Sequence, residues 1–197
     1  CTQAMPPVAK DTNLEVKLPQ YLFCGSLTSR KDPFAIARGL SRIDANNMGE
    51  VHYIGDGPLR IPLEKEILKL NLKDKIHLLG TKSQTEVPYF MQQADIFILP
   101  SIYDGWGAVV NEALQAGCYV ICSDAAGASD LILNDERLGS VFHRGNVKQL
   151  AVAMSWCNEH IHEIRSHRDF RMQWAEDHIS GKAVAKYMID CLEKSIN

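Results

Sequence analysis

Two carboxylates stand close together in the stretch SIYDGWGAVVNEALQAG, residues 101–117. Asp104 and Glu112 are separated by seven residues, and Gly105 and Gly107 follow directly after the first of them. Glycines just before a helix let backbone N–H groups approach an anion closely, because the first N–H groups of a helix have no partner within it. The stretch therefore predicts a site where amides hold a phosphate and a carboxylate accepts hydrogen bonds from sugar hydroxyls.

The same carboxylates also have a simpler interpretation. Asp is a common N-cap, so Asp104 would cap a helix that begins near Trp106, and Glu112 would be a solvated residue on that helix. In favour of the first interpretation, the small residues Ala108 and Ala116 lie four residues to either side of Glu112 and leave room for a ligand on that face of the helix. Spacing alone does not choose between these two interpretations.

The elements that would position these residues follow from hydrophobic periodicity. From Pro19 onward, short apolar runs alternate with longer segments of helical period. We predict strands at YLFCGS, VHYIGDG, KIHLLG, DIFILP, CYVICS and GSVF, and helices over about 32–43, 63–72, 83–93, 106–116, 127–133 and 146–161. Two further helical segments would reach the C-terminus. Asp32 would cap the first helix, with Pro33 at its first position.

Five or six strands alternating with helices predict an α/β fold, a Rossmann-like, doubly wound parallel sheet. Residues 1–18 would be a polar lead-in or interdomain linker, 19–162 the sheet domain and 163–197 C-terminal helices. The chain begins with Cys1, so we expect it to be a piece of a longer protein with a partner domain upstream.

Each candidate group follows a predicted strand. GSLTSRK, GDG, GT, SIYDGWG and SDAAGASD come after the first five strands in turn. Ligands of doubly wound sheets bind beyond the carboxyl ends of the strands, and in a parallel sheet those ends share one edge. The five loops are therefore expected to converge on one cleft.

Composition argues against several other classes of protein. The chain is 46% hydrophobic and 23% charged with a formal charge of −3, and its Lys and Arg residues are scattered, so a nucleic-acid partner is not indicated. No apolar run approaches the roughly 18 residues that span a bilayer. The six cysteines form no CxxC pair and lie mostly in apolar runs, which predicts free, buried thiols in a reducing cytoplasm.

The chain resembles the C-terminal, donor-binding domain of the retaining family 4 (group 1) glycosyltransferases, which have the two-domain GT-B fold. Their hallmark is an acidic residue, seven others and then Glu, here within DGWGAVVNEALQAG. A family-like G-x-L-x-x-x-K stands at 25–31, and a hydrophobic-G-x-G stands at 54–57. ADIFILPS, GCYVICSDAAGASDLI and LGSVF follow in family order, so the resemblance covers about 19–161.

The resemblance implies a role for each matched residue. Glu112 would hold the ribose hydroxyls of the nucleotide, Asp104 would contact the transferred sugar, and Lys31 would neutralise the departing diphosphate. Gly80 and Thr81 would line the base pocket. The remaining implied donor-binding residues are the glycine-loop positions Gly25, Ser26, Arg30 and Gly55 and the backbone of Gly105, Trp106, Gly107, Ala108 and Val109.

The implied reaction is transfer of a sugar from a nucleotide diphosphate donor to an acceptor hydroxyl, with retention at the anomeric carbon. Expected partners are the nucleotide sugar, a glycan or lipid-linked acceptor and an N-terminal domain of the same protein. No cofactor or metal is expected, since no Asp-x-Asp pair occurs. The expected location is the cytoplasm, including the inner face of the membrane. A nucleotide-sugar epimerase or hydrolase and a non-catalytic binding module remain alternatives.

Two positions depart from the family pattern. Asp104 is one methylene shorter than the commoner Glu, and Ser26 stands where many members carry an Arg that pairs with the diphosphate. Arg30 or an arginine elsewhere would supply that charge. Without the family, Lys31 reads as a surface lysine.

Other motifs carry less weight. GDGPLR has Arg60 where a dinucleotide fingerprint needs its third glycine. A metal site built from Cys157, His160 and His162 is disfavoured, because Cys157 falls on the core face of its helix.

Overall fold

The structure, a computed structural model, describes residues 18–196. Nearly all of the predicted lead-in, and Cys1 with it, lies outside the described residues. The six predicted strands are all present, at Gln20–Cys24 (β1), Glu50–Ile54 (β2), Ile76–Leu78 (β3), Ile96–Leu99 (β4), Tyr119–Ser123 (β5) and Gly139–Phe142 (β6).

The strands form one six-stranded parallel sheet in the order β3-β2-β1-β4-β5-β6. The doubly wound prediction is therefore confirmed. Strand order reverses between β1 and β4, so the crevice of the fold opens between their carboxyl ends. The loops that follow these two strands contain Lys31 and Asp104.

Helices cover both faces of the sheet, and their bounds are Pro33–Leu40 (α1), Arg60–Lys69 (α2), Val87–Gln93 (α3), Val109–Gln115 (α4), Ser129–Ile132 (α5), Val147–Glu159 (α6), Ile161–Ser166 (α7), Arg168–His178 (α8) and Gly181–Ile196 (α9). One core cluster joins α1, α2 and α6 to Tyr21, Phe23 and Tyr53 on the sheet. The other joins α3, α4 and α8 to Leu22, Phe97 and Leu99. β4 is buried at every position, as its continuous apolar run requires.

Several boundaries differ from the prediction for local reasons. α3 begins at Val87 rather than near Ser83, because Ser83 and Glu86 first close a turn in which the Glu86 carboxylate accepts from the Ser83 N–H at 2.9 Å. Asp32 precedes α1 but makes no side-chain cap. Its backbone is left-handed, with φ 42°, because it also ends the 3-10 turn Ser29–Lys31.

The C-terminal part holds three helices, α7, α8 and α9, where two were predicted. The thiol prediction was right for Cys118, Cys122 and Cys157, which are buried, and wrong for Cys191, which is exposed on α9. Across the described residues, none of the helices is both long enough and apolar enough to cross a bilayer.

Candidate donor-binding cleft

Hydrogen bonds join the loops that follow β1, β2 and β3. The Gly25 N–H donates to the Ile54 carbonyl at 2.9 Å, and the Gly55 N–H donates to the Gly80 carbonyl at 2.8 Å. Gly55 has φ +128°, and a Cβ placed there would lie 2.0 Å from the Gly25 carbonyl oxygen. Only glycine allows this close approach, so Gly55 has a structural reason to be glycine.

The loops after β4 and β5 belong to the same rim, by which we mean the row of loops at the carboxyl ends of the strands. The Ile102 N–H donates to the Arg30 carbonyl at 2.8 Å, which ties the β4 loop to the β1 loop. The Asp104 N–H donates to the Ala125 carbonyl at 3.0 Å, and the Ala128 N–H donates to the Trp106 carbonyl at 2.7 Å. The predicted convergence of the five loops is therefore confirmed.

Lys31 and Asp104 form an ion pair across the crevice between β1 and β4, with the Lys31 ammonium donating to a carboxylate oxygen of Asp104. Their side chains are only 13% and 12% exposed. Lys31 is therefore not the surface lysine that its sequence context allows. Gly25 lies beside it, since a Cβ at Gly25 would be 3.9 Å from Lys31 Cε.

Asp104 does not cap α4, contrary to the simpler interpretation of the sequence. The helix begins at Val109, three residues later than predicted, and its N-cap is Ala108. Gly107, with φ +84°, turns the chain into the helix. Within residues 18–196 no protein group accepts a hydrogen bond from the N–H groups of this turn, those of Gly105, Trp106, Gly107, Ala108 and Val109.

Glu112 faces a cleft of ≈ 520 Å³ between α3 and α4. Its side chain is exposed and has no hydrogen-bond or ion-pair partner among the described residues. The cleft is lined by Cys24, Gln84, Val87, Pro88, Met91, Gln92, Glu112, Gln115 and Ala116. A carboxylate that is both unpaired and at the wall of a cleft is free to accept hydrogen bonds from a ligand.

Cys24, the last residue of β1, lines the same cleft as Glu112 and is also near the Lys31 ammonium. The pKa of the Cys24 thiol is raised to about 11, mainly by burial and also by the Glu112 carboxylate, while the Lys31 ammonium acts to lower it. One thiol therefore feels both charges, which places Glu112 and Lys31 on the same side of the sheet edge. The groups assigned to the ribose and to the diphosphate are neighbours.

We expect Cys24 to react slowly with iodoacetamide at about pH 8, because its raised pKa leaves little of the reactive thiolate. Glu112→Gln removes a negative charge, lowers the pKa of Cys24 and should speed alkylation. Peptide mass spectrometry measures the rate at Cys24, with the exposed Cys191 as an internal reference. Glu159→Gln, which removes an exposed carboxylate on α6, is the control and should leave the rate unchanged. If Glu112→Gln also left the alkylation rate of Cys24 unchanged, Glu112 would not be near Cys24.

Other predicted site residues are spread along the rim. Ser26 is exposed, and the Arg30 side chain is exposed with no partner among the described residues, although its carbonyl joins two loops. Gly80, two residues after the end of β3, is half-buried, and Thr81 is exposed. Neither Gly80 nor Thr81 is among the described residues that line the cleft beside Glu112.

Sequence reasoning missed the wall that α3 contributes. Val87, Pro88 and Met91 face Glu112 across the cleft, and Gln84 lies just before the helix. Pro88 in the first turn was the available signal for the start of this helix. Cys24 was also missed, although its place as the last residue of β1 follows from the predicted strand.

Comparisons with known proteins bear on the family of this chain. A family model described as "Glycosyl transferases group 1" matches residues 7–168. An N-acetylgalactosaminyltransferase of Campylobacter jejuni that acts on a diphospho-undecaprenol-linked saccharide is 31% identical over 117 residues, or 58% of this chain and 31% of that protein. An Escherichia coli enzyme named UDP-Gal:alpha-D-GlcNAc-diphosphoundecaprenol alpha-1,3-galactosyltransferase is 29% identical over 132 residues, 64% of this chain and 34% of that protein.

Among solved structures, HepE of Anabaena in complex with UDP superposes with a TM-score of 0.78 at 18% identity. The match covers 90% of this chain and 49% of HepE. The chain thus spans about a third of these two curated relatives and half of this structural one. Because the family model matches well over half of the chain, the protein belongs to the group 1 family of glycosyltransferases.

Proposed function

We propose that this domain binds a nucleotide diphosphate sugar and serves its transfer, with retention of anomeric configuration, to an acceptor hydroxyl. The observation that carries the proposal is that Glu112 and the Lys31–Asp104 pair both lie near Cys24, at the point where strand order reverses. In a doubly wound sheet this point is where nucleotides bind. The family to which the chain belongs supplies the reaction class.

Lys31 has the central chemical role in this proposal. When the bond between the sugar and the diphosphate breaks, negative charge develops on the leaving phosphate. A fixed ammonium beside that phosphate stabilises the transition state more than the ground state, where the charge is smaller. Before the donor binds, the Asp104 carboxylate pairs with Lys31 and keeps the ammonium in the crevice.

Donor binding would then redistribute the partners of this ion pair. The diphosphate takes over the Lys31 ammonium, and the released Asp104 carboxylate accepts hydrogen bonds from the transferred sugar. The free N–H groups at 105–109 donate to the diphosphate and sugar hydroxyls. The exposed Arg30 guanidinium supplies the positive charge that Ser26 lacks.

Glu112 holds the nucleotide end of the donor. Its unpaired carboxylate accepts hydrogen bonds from two adjacent ribose hydroxyls, an arrangement that neutral side chains match poorly. Retention follows from attack on the same face, with the departing phosphate accepting the acceptor's proton. Under this mechanism the domain positions the donor and stabilises charge, and needs no pair of carboxylates that act as acid and base.

Calorimetric titration with UDP-, GDP- and ADP-sugars tests the proposal. We expect one nucleotide series to bind and Glu112→Ala to weaken it roughly 10- to 100-fold, since hydrogen bonds to a charged group contribute about 1.5–3 kcal/mol. Glu159→Ala, which removes an exposed carboxylate from α6 on the other face, is the matched control. Failure of every nucleotide sugar to bind would remove the proposed donor site, and equal loss in both variants would remove the role of Glu112.

The acceptor side of the reaction belongs to the same proposal. Two relatives are named for diphospho-undecaprenol-linked acceptors, so a lipid-linked glycan is the acceptor we propose, at the cytoplasmic face of a membrane. An N-terminal domain of the same protein would hold it, and this chain alone would bind donor with little or no turnover. Release of free nucleotide without acceptor by the whole protein would instead favour a hydrolase.

A further inference from the structure

Two imidazoles and a carboxylate meet on β2 and β3, at the edge of the sheet. His52 and His77 are register partners in the parallel pair of strands. Glu50 lies two residues before His52, and alternate residues of a strand face the same side. All three side chains are half-buried. The three are therefore side by side on one face of the sheet.

The distances within this group suit one shared ion. One ligand atom from each side chain lies within 4.8 Å of the others, with His77 Nε2 at 3.8 Å from Glu50 Oε2. The ring centroids are 5.1 Å apart. A tetrahedral zinc ion with ligands at about 2.0–2.1 Å needs ligand atoms about 3.3 Å apart. Side-chain rotations that shorten these separations by about 0.5–1.5 Å would bring the three ligand atoms to that spacing.

The space around the group would admit the ion and its water. A cavity of ≈ 410 Å³ is lined by Glu50 and His52 on the sheet and by Tyr89 and Phe90 on α3. Three protein ligands leave one position of a tetrahedral zinc ion open, and water from the cavity would fill it. Within residues 18–196 this is the one group of three or more such ligand side chains placed to hold a metal.

The ligand types select the kind of ion. Imidazole nitrogen favours zinc, copper, nickel and iron, whereas magnesium and calcium take oxygen ligands almost throughout. We propose that Glu50, His52 and His77 bind a divalent first-row transition ion, with Zn²⁺ as the expected occupant, which clamps the edge strand β3 to β2.

The site would act on the fold and not on the leaving group. Glu50 begins β2, while the donor-binding loops follow its end, about 13 Å away at the usual strand rise. β3 has only three residues and pairs with a single neighbour, so it gains most from an added cross-link. Its end leads to Gly80, whose carbonyl accepts from Gly55 in the rim.

The test is a calorimetric titration of the 197-residue chain with zinc chloride, alongside the variants Glu50→Gln, His52→Gln and His77→Gln. We expect each variant to weaken binding by at least about tenfold, since even residues that only support metal ligands contribute 10- to 100-fold. His162→Gln, which removes an exposed histidine from α7, should bind like the wild type. Unchanged affinity in all three ligand variants would overturn the site.

Two further measurements, a cobalt spectrum and the melting temperature, distinguish this site from metal bound elsewhere on the chain. The ligand-field spectrum of added Co²⁺ should lack a thiolate charge-transfer band, whereas binding at Cys191 or another thiol would show one and refute the proposal. Zinc should raise the melting temperature of the wild type and of His162→Gln but not of Glu50→Gln. This last variant conserves shape, so it decides the question even if the histidine variants fail to fold. An equal rise in all proteins would count against the clamp.

Discussion

Lys31→Met is expected to slow sugar transfer by the whole protein roughly 10²- to 10³-fold in kcat, the effect of removing one preorganised group that stabilises developing charge. Methionine keeps most of the side-chain length and removes only the ammonium. The Lys31 side chain is 13% exposed and held in the crevice by Asp104, so its charge is poorly screened by water. The measurement is the steady-state rate of nucleotide release with donor and acceptor both saturating.

The split between kcat and KM distinguishes this role from simple donor binding. If Lys31 acts mainly on the leaving phosphate, kcat falls and the donor KM changes little. Lys69→Met, at the exposed end of α2, is the matched control and should leave both constants unchanged. A rise in donor KM with an intact kcat would show that Lys31 contributes equally to ground state and transition state, and would contradict the proposed mechanism.

The sheet was predictable from sequence because burial imposes a simple pattern on its strands. β4 is apolar at every position since helices cover both of its faces, and its predicted and observed limits nearly coincide. Convergence of the loops followed in turn, because parallel strands place all their carboxyl ends at one edge. These inferences rest on local patterns and on chain connectivity, both of which a sequence contains.

Strand order was not predictable in the same way. Whether β4 pairs with β1 or with β3 depends on packing between residues far apart in sequence, such as Leu22 against Phe97. The sequence therefore indicated an edge but not the crevice at the reversal between β1 and β4. This strand order brings together Lys31 and Asp104, which are separated in the sequence by β2, β3 and β4.

The predictions of helix N-caps were wrong for a different reason. Asp32 and Asp104 both occur where an Asp commonly caps a helix, and neither side chain does so. Asp32 adopts a left-handed backbone between a 3-10 turn and α1, and Asp104 is drawn into a bridge with Ala126 and an ion pair with Lys31. Tertiary contacts overrode the local preference at both positions.

The support of the cleft by α8 was also missed, because the larger of its two buried residues is charged. Arg171 is only 1% exposed and donates to the carbonyls of Gly117 at 2.8 Å, Arg137 at 3.1 Å and Ile164 at 2.6 Å. Burial lowers the pKa of its guanidinium to about 10, so the side chain remains a cation at neutral pH. A search for apolar stripes excludes such a residue.

The arginines of α8 fix the two helices that form the cleft. Arg168 donates to the Gln92 carbonyl at 2.6 Å and to the Ala94 carbonyl at 3.0 Å, at the end of α3. It also donates to the Ala116 carbonyl at 3.0 Å, next to the Gly117 carbonyl that Arg171 holds at the end of α4. Cations at helix C-termini satisfy the last carbonyls and complement the helix dipole. The position of Glu112 therefore depends on α8.

Arg171→Met is accordingly expected to lower the free energy of unfolding by about 3 kcal/mol, because buried carbonyls left without a donor cost about 1–3 kcal/mol each and relief of the buried charge offsets part of this. For a chain of this size the melting temperature should fall by roughly 6–12 °C, measured by calorimetry or circular dichroism. Arg42→Met, at an exposed arginine after α1, should change it little. A melting temperature for Arg171→Met within a degree or two of that control would mean that water or neighbouring groups satisfy the three carbonyls equally well, and that the guanidinium does not hold α8 against α4.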